Sequence, residues 1–270
     1  MTPDQLSRIE AWFSDYVAGF YTGDAETDAN IGLKEIHTRR VRENMAAIAE
    51  ALEQSPADRR LADAMALLHD IGRFEQYRVY RTFLDLASEN HALLGIRVLA
   101  RHRPLKALAP ADRRRILRSI AFHNAAAPPA DEDEQGLTFM RMLRDADKLD
   151  IWRVVTEYYR NGASSSASAV GLGLPDTPDC SETVVETLAA GRFVRISDVR
   201  TLNDFKLLQI SWVYDINYPP TFTMLAERGY LRAIADTLPP APTVEKAVEQ
   251  AIDYARAAAA RPPAIAPADT

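Results

Sequence analysis

The stretch that most constrains this chain is Met65-Ala66-Leu67-Leu68-His69-Asp70-Ile71-Gly72-Arg73-Phe74. A run of apolar helix formers ends in an adjacent imidazole and carboxylate, and Gly72 is expected to let the backbone leave the helix there. Both polar groups cost free energy to bury unless something pairs with them. One such dipeptide is accounted for by a satisfied core histidine beside a capping aspartate. Its meaning depends on where the other histidines and aspartates fall.

Nearly every periodic segment reads as helix, so the expected fold class is all-α. Thr2-Pro3-Asp4-Gln5 has the pattern of a capping box with proline at N1, and Ile9, Trp12, Phe13 and Tyr16 follow at helical spacing. After a polar break at 22–30, a second helix is expected over 31–54, with Leu33, His37, Val41, Met45, Ile48 and Leu52 along one stripe. Ser55-Pro56 opens the helix that carries His69-Asp70. Residues 74–86 read as a loop with a short helix. Further helices are expected over 88–99, 110–124, 138–160, 181–190, 201–215 and 243–260, with shorter ones between 220 and 238. Residues 193–196 offer the one weak strand pattern, and no internal repeat stands out.

Five histidines are present, and four of them, His37, His69, His91 and His123, fall on or at the ends of apolar helical stripes. Each alone suits a satisfied core position. Four inward imidazoles point instead to a shared metal site. His102, between Arg101 and Arg103, reads as exposed. Asp147 shares a helix face with Met140, Leu143 and Ile151 and so points inward. Asp145 lies about 200° around the same axis and is expected to point outward. Asp150 is placed to orient a ligand. Asp85 and Glu89, beside His91, are candidates for supporting or substrate-side groups.

The order His37, His69-Asp70, His91, His123, Asp147 resembles the HD-domain superfamily of metal-dependent phosphohydrolases. The segment 67–74 looks like the family's signature. Asn90-His91-Ala92-Leu93-Leu94-Gly95, Ala121-Phe122-His123-Asn124 and Asp145-Ala146-Asp147-Lys148 resemble its later motifs. The resemblance spans about residues 30–155 and implies an HD helical core with additional C-terminal helices. It implies that His37, His69, Asp70 and Asp147 match the mononuclear ligand set. His91 and His123 then match the extra ligands of dinuclear members, in which the residue at Asp70 bridges both ions. Asn124 stands where cyclic-dinucleotide phosphodiesterases of the family carry a second histidine, which argues against that activity.

The implied cofactor is one or two divalent transition ions, Mn, Fe, Co, Ni or Zn. The implied reaction is hydrolysis of a phosphoester by metal-activated water, on a nucleotide or another small phosphorylated metabolite. Arg73 and Lys148 are candidate catalytic cations beside Asp70, with Arg73 suited to neutralising a phosphate. Two alternatives use the same ligands: a di-iron oxygenase, and a non-catalytic nucleotide-binding module.

The formal charge of −6 and pI near 5.5 argue against a nucleic-acid polymer or an anionic membrane as partner. The lone Cys180 permits no internal disulfide, and no apolar run approaches bilayer length, so a cytoplasmic protein is expected. The expected organisation is a single all-α domain over 1–270. Within it the metal-bearing core covers 30–160, a flexible loop 161–180, and a C-terminal helical extension 181–260 packs on the core. A disordered tail follows from 262.

Overall fold

In a computed structural model the protein is described over residues 1–161 and 173–261, and it is all-α, with no strand among those residues. The expected loop at 161–180 lies largely outside the described residues, as does the expected tail at 262–270. The chain divides into two compact units, Met1–Asp150 and Ile151–Thr270. No helix among the described residues is long and apolar enough to cross a membrane.

The first unit begins with α1 (Pro3–Ala18), whose capping box is formed: Thr2 Oγ1 accepts from the Gln5 backbone, and the Gln5 side chain accepts from the Thr2 backbone. Ile9, Phe13 and Val17 form its buried stripe. Helix α2 (Ala25–Ala51) starts earlier than the stripe suggested. Asp24 caps it by accepting from the Thr27 backbone N–H, and the polar residues of the expected break form its first turns instead. Next come α3 (Pro56–Leu68), capped by Ser55 with proline at N1, and α4 (Ile71–Tyr80). Helices α5 (His91–His102) and α6 (Pro110–Phe122) follow, and α7 (Glu134–Asn161) closes the set. Helix α2 packs on α3, α4 on α5, and α6 on both α3 and α5.

Two expectations fail around His69. Residues 71–80 are a full helix, and the break comes at His69 and Asp70, not at Gly72. Asp70, with φ −102° and ψ 16°, stands just ahead of α4. Gly72 is needed for another reason. A Cβ there would meet His91 O at 2.2 Å and Gly95 N at 2.5 Å, so glycine permits a close approach of α4 to α5. The break matters for the site. Neighbours on one continuous helix diverge by about 100°, whereas a change of direction between them lets both side chains enter one cavity.

Asp145 is also corrected: it is fully buried rather than outward. Phe139, Met142, Leu143, Arg144, Asp145, Leu149 and Asp150 are all buried, at angles that run most of the way around α7. A helix covered on nearly all sides has no outward face for the pattern to assign. Asn44 Nδ2 donates to Ala146 O at 3.0 Å, tying α2 to α7. Arg144 Nη1 donates to His123 O and Ala125 O, tying the end of α6 to it.

The second unit contains α8 (Glu182–Ala189), α9 (Leu202–Ser211), α10 (Pro219–Arg228), α11 (Tyr230–Ala235) and α12 (Pro242–Ala259). Residues 193–196 form no strand; Ile196–Asp198 is a 3₁₀ turn. Thr201 and Asp204 make a reciprocal cap at the start of α9, and Trp152 Nε1 donates to Gln209 O at 2.9 Å.

Candidate metal centre

Three of the four inward histidines sit at element ends and His37 lies in the middle of α2, and each has its Nδ1 held by an oxygen. His37, on α2, meets Asp150 Oδ2 at 2.7 Å. His69, at the C-cap of α3, meets Ala66 O at 2.8 Å. His91, the first residue of α5, meets Asp85 Oδ2 at 2.7 Å and Oδ1 at 2.9 Å. His123, at the C-cap of α6, meets Ile120 O at 2.7 Å. Carbonyl and carboxylate oxygens only accept, so every Nδ1 carries the proton. Every Nε2 is thereby left to face the centre.

These Nε2 atoms converge in two pairs, His37 with His69 at 3.3 Å and His91 with His123 at 3.0 Å. Asp70 lies between the pairs. Its Oδ2 is 3.5 Å from His37 Nε2 and 3.8 Å from His69 Nε2. Its Oδ1 is 3.4 Å from His91 Nε2 and 3.8 Å from His123 Nε2. Asp147 Oδ1 joins the first pair, 3.1 Å from His37 Nε2 and 3.7 Å from His69 Nε2. All six candidate ligands therefore meet in one site. The donor atoms of His37, His69 and Asp70 lie within 4.8 Å of one another, and so do those of Asp70, His91 and His123.

The field of this site favours positive charge. Burial and Lys34 push the His37 imidazole down, but Asp147 and Asp150 outweigh them and raise its pKa to about 9. Burial lowers His69, and it takes His91 and His123 down to about 4, keeping the rings of that second pair neutral. Burial opposes ionisation of Asp70, yet Lys34, His69 and Arg73 hold its carboxyl well below the usual range. Asp147 is lowered too, through His37 and His69 acting against burial. Two neutral imidazole lone pairs facing each other at 3.0 Å repel unless a cation sits between them. Asp147 Oδ1 is moreover buried with no hydrogen-bond partner. Imidazole and carboxylate donors in this arrangement fit divalent transition ions.

Arg73 is half-buried. Its Nη1 donates to Gln76 Oε1 at 2.9 Å, to Asp85 Oδ1 at 2.9 Å and to Phe83 O, while its Nε stands 3.5 Å from Asp70 Oδ1. Lys148 is half-buried, one residue beyond Asp147. His102 is exposed, with its ring tilted against Trp12 and edge-on to Tyr16.

Sequence reasoning missed Lys34, whose Nζ donates to Asp70 Oδ2 at 2.9 Å and lies 5.2 Å from the centre of the Phe83 ring. Its signal was its place on α2, three residues before His37. A repeated pattern was missed as well. His37 and His69 are 32 residues apart, as are His91 and His123. Pro-Ala-Asp-Arg-Arg opens both α3 and α6, each a 13-residue helix that ends at its histidine.

The HD-domain family model matches residues 35–152, which span all six converging residues. No curated protein and no solved structure matches the chain significantly. The family is of the metal-dependent hydrolase type, and the buried His/Asp groups accord with divalent metal binding. Residues 35–152 of this chain thus match the HD-domain family model, and the His/Asp cluster they carry is consistent with an HD metal site.

Proposed function

We propose that the HD domain is a phosphohydrolase that uses two divalent transition ions to cleave a phosphoester of a small phosphorylated metabolite such as a nucleotide. The observation that carries this reading is Asp70, which presents one oxygen to each histidine pair. His37, His69 and Asp147 would hold one ion, His91 and His123 the other, and Asp70 both. Ions so held supply Lewis acidity toward a phosphoryl oxygen and make a bound water acidic enough to serve as nucleophile near neutral pH.

The chain's own groups complete the electrostatics. Asp147, with 17% of its side chain exposed against 0–7% for the other five ligands, marks the side from which a substrate reaches the site. Lys34 and Arg73 flank Asp70 and counter the charge of an arriving phosphate, and Lys148 adds a third cation beside Asp147. The net charge of −6 disfavours a nucleic-acid polymer or an anionic membrane and leaves a small anion drawn by this local cluster.

The test is phosphate release from a panel of nucleotides and small phosphoesters with manganese supplied. Activity is expected on at least one class and lost in His69→Ala, with the fold intact by circular dichroism. A metal-loaded protein that releases phosphate from nothing refutes the reading. If that protein then consumes O2 with a mixed-valence di-iron spectrum, the same ligands serve an oxygenase.

A further inference from the structure

The two histidine pairs are anchored by the same plan. In each pair one imidazole donates to the carbonyl three residues back, Ala66 O or Ile120 O, and the other donates to a carboxylate. The carboxylates differ in what carries them. Asp150 lies on α7 with its side chain 1% exposed, whereas Asp85 lies on a 3₁₀ turn (Asp85–Ala87) between α4 and α5 with its side chain 28% exposed.

That turn is fastened to α4 by two side chains. Arg73 Nη1 donates to Phe83 O at its start and to Asp85 Oδ1 at 2.9 Å. Gln76, which is fully buried, donates through Nε2 to Asp85 Oδ1 at 2.9 Å, Ser88 Oγ at 2.8 Å and Glu89 O at 3.0 Å. Asn124 Nδ2 approaches Asp85 Oδ2 at 3.4 Å. The residues at both ends of the connection and the carboxylate between them are thus pinned to one helix face, and that carboxylate meets His91 Nδ1 with both oxygens.

We propose that Asp85, clamped by Arg73 and Gln76, is the positioning residue of the second half-site. It sets how tightly His91, His123 and Asp70 Oδ1 hold their ion, without governing the ion of His37, His69 and Asp147. The inference rests on the two-ion reading above. Its physical basis is that a carboxylate on Nδ1 fixes the tautomer and ring orientation of a ligating histidine and raises its basicity; loss of such a partner costs about 10–100-fold in metal affinity. It also gives Arg73 work that a purely phosphate-binding arginine would not have: holding the loop that aims His91.

The experiment is a manganese titration of the full chain by calorimetry, with metal content measured after gel filtration and fold followed by circular dichroism. Wild type is expected to bind two ions, His91→Ala one and His37→Ala the complementary one. Asp85→Ala is expected to weaken the second ion by about 10–100-fold and leave the first unchanged. Asp85→Asn keeps an oxygen that accepts from Nδ1 and should recover most of that affinity. Gln76→Ala, which leaves Asp85 in place but held to α4 by Arg73 alone, should shift the same ion in the same direction. Asp150→Ala is the mirror case and should weaken the first ion instead. If Asp85→Ala binds both ions with wild-type affinity, or weakens both equally, the proposal is overturned. A wild-type protein that binds a single ion refutes the two-ion reading itself, and the inference falls with it; that outcome is visible before any variant is compared.

Discussion

Replacing Gly72 with alanine tests whether the approach of α4 to α5 sets the metal centre. The new Cβ would stand 2.2 Å from His91 O, 2.5 Å from Gly95 N and 3.1 Å from Gly95 Cα. All three are backbone atoms, so no rotamer change relieves the clash. To restore ordinary contact the helices must part by roughly 1 Å in an interior that is otherwise close-packed. Overpacking costs about 1–3 kcal/mol, and a clash against two stretches of main chain belongs at the upper end. For a unit of this size that lowers Tm by about 6–12 °C. The same displacement moves Asp70, two residues from Gly72, relative to His91, where Oδ1 and Nε2 are 3.4 Å apart. The ion of His91 and His123 should therefore be lost before that of His37 and His69. Gly95→Ala is the graded comparison. Its Cβ would meet chiefly Ile71 Cγ2 at 3.2 Å, which can yield, so the expected cost is about 1 kcal/mol. Differential scanning calorimetry and a manganese titration read both effects. The reasoning is refuted if Gly72→Ala melts and binds metal like wild type, or if Gly95→Ala proves the more damaging.

Three further outcomes are expected. Removing metal with a chelator should lower Tm, because an ion that binds the folded state at a hundred times its Kd contributes about 2.7 kcal/mol; no difference between chelated and manganese-loaded protein would argue against a metal centre. Arg42→Lys should cost about 1 kcal/mol in urea unfolding, since it breaks the paired contacts from Nε to Asp63 Oδ1 at 2.6 Å and from Nη2 to Asp63 Oδ2 at 2.8 Å, together with the Glu10 contact. Burial and the hydrogen bond to Glu35 raise the Tyr21 phenol to about 12. Its stabilisation is complete below pH 10 and lost as pH rises from 10 toward 12, so Tyr21→Phe should flatten the fall in stability over that window.

The all-α class was legible because caps and periodicity are local. Thr2, Ser55 and the prolines behind them mark helix starts whatever the rest of the chain does. The candidate ligands were legible for a chemical reason: imidazoles and carboxylates are costly to bury, so several of them on apolar stripes call for one shared explanation. The sequence by itself therefore determined helix content and the identity of His37, His69, Asp70, His91, His123 and Asp147 as a set. Only the tertiary structure decided the rest, because those facts depend on what comes from other helices. Asp145 is buried because α7 is covered on nearly all sides, which no single helix pattern reveals. Gly72 is a point of contact with His91 O and Gly95, not a helix stop. Lys34 reaches Asp70 from α2. The choice of Nδ1 as the protonated nitrogen in all four rings rests on Asp150, Ala66, Asp85 and Ile120. Asp70 faces both pairs because the chain changes direction between α3 and α4, and that turn gives each of its oxygens a different pair of imidazoles.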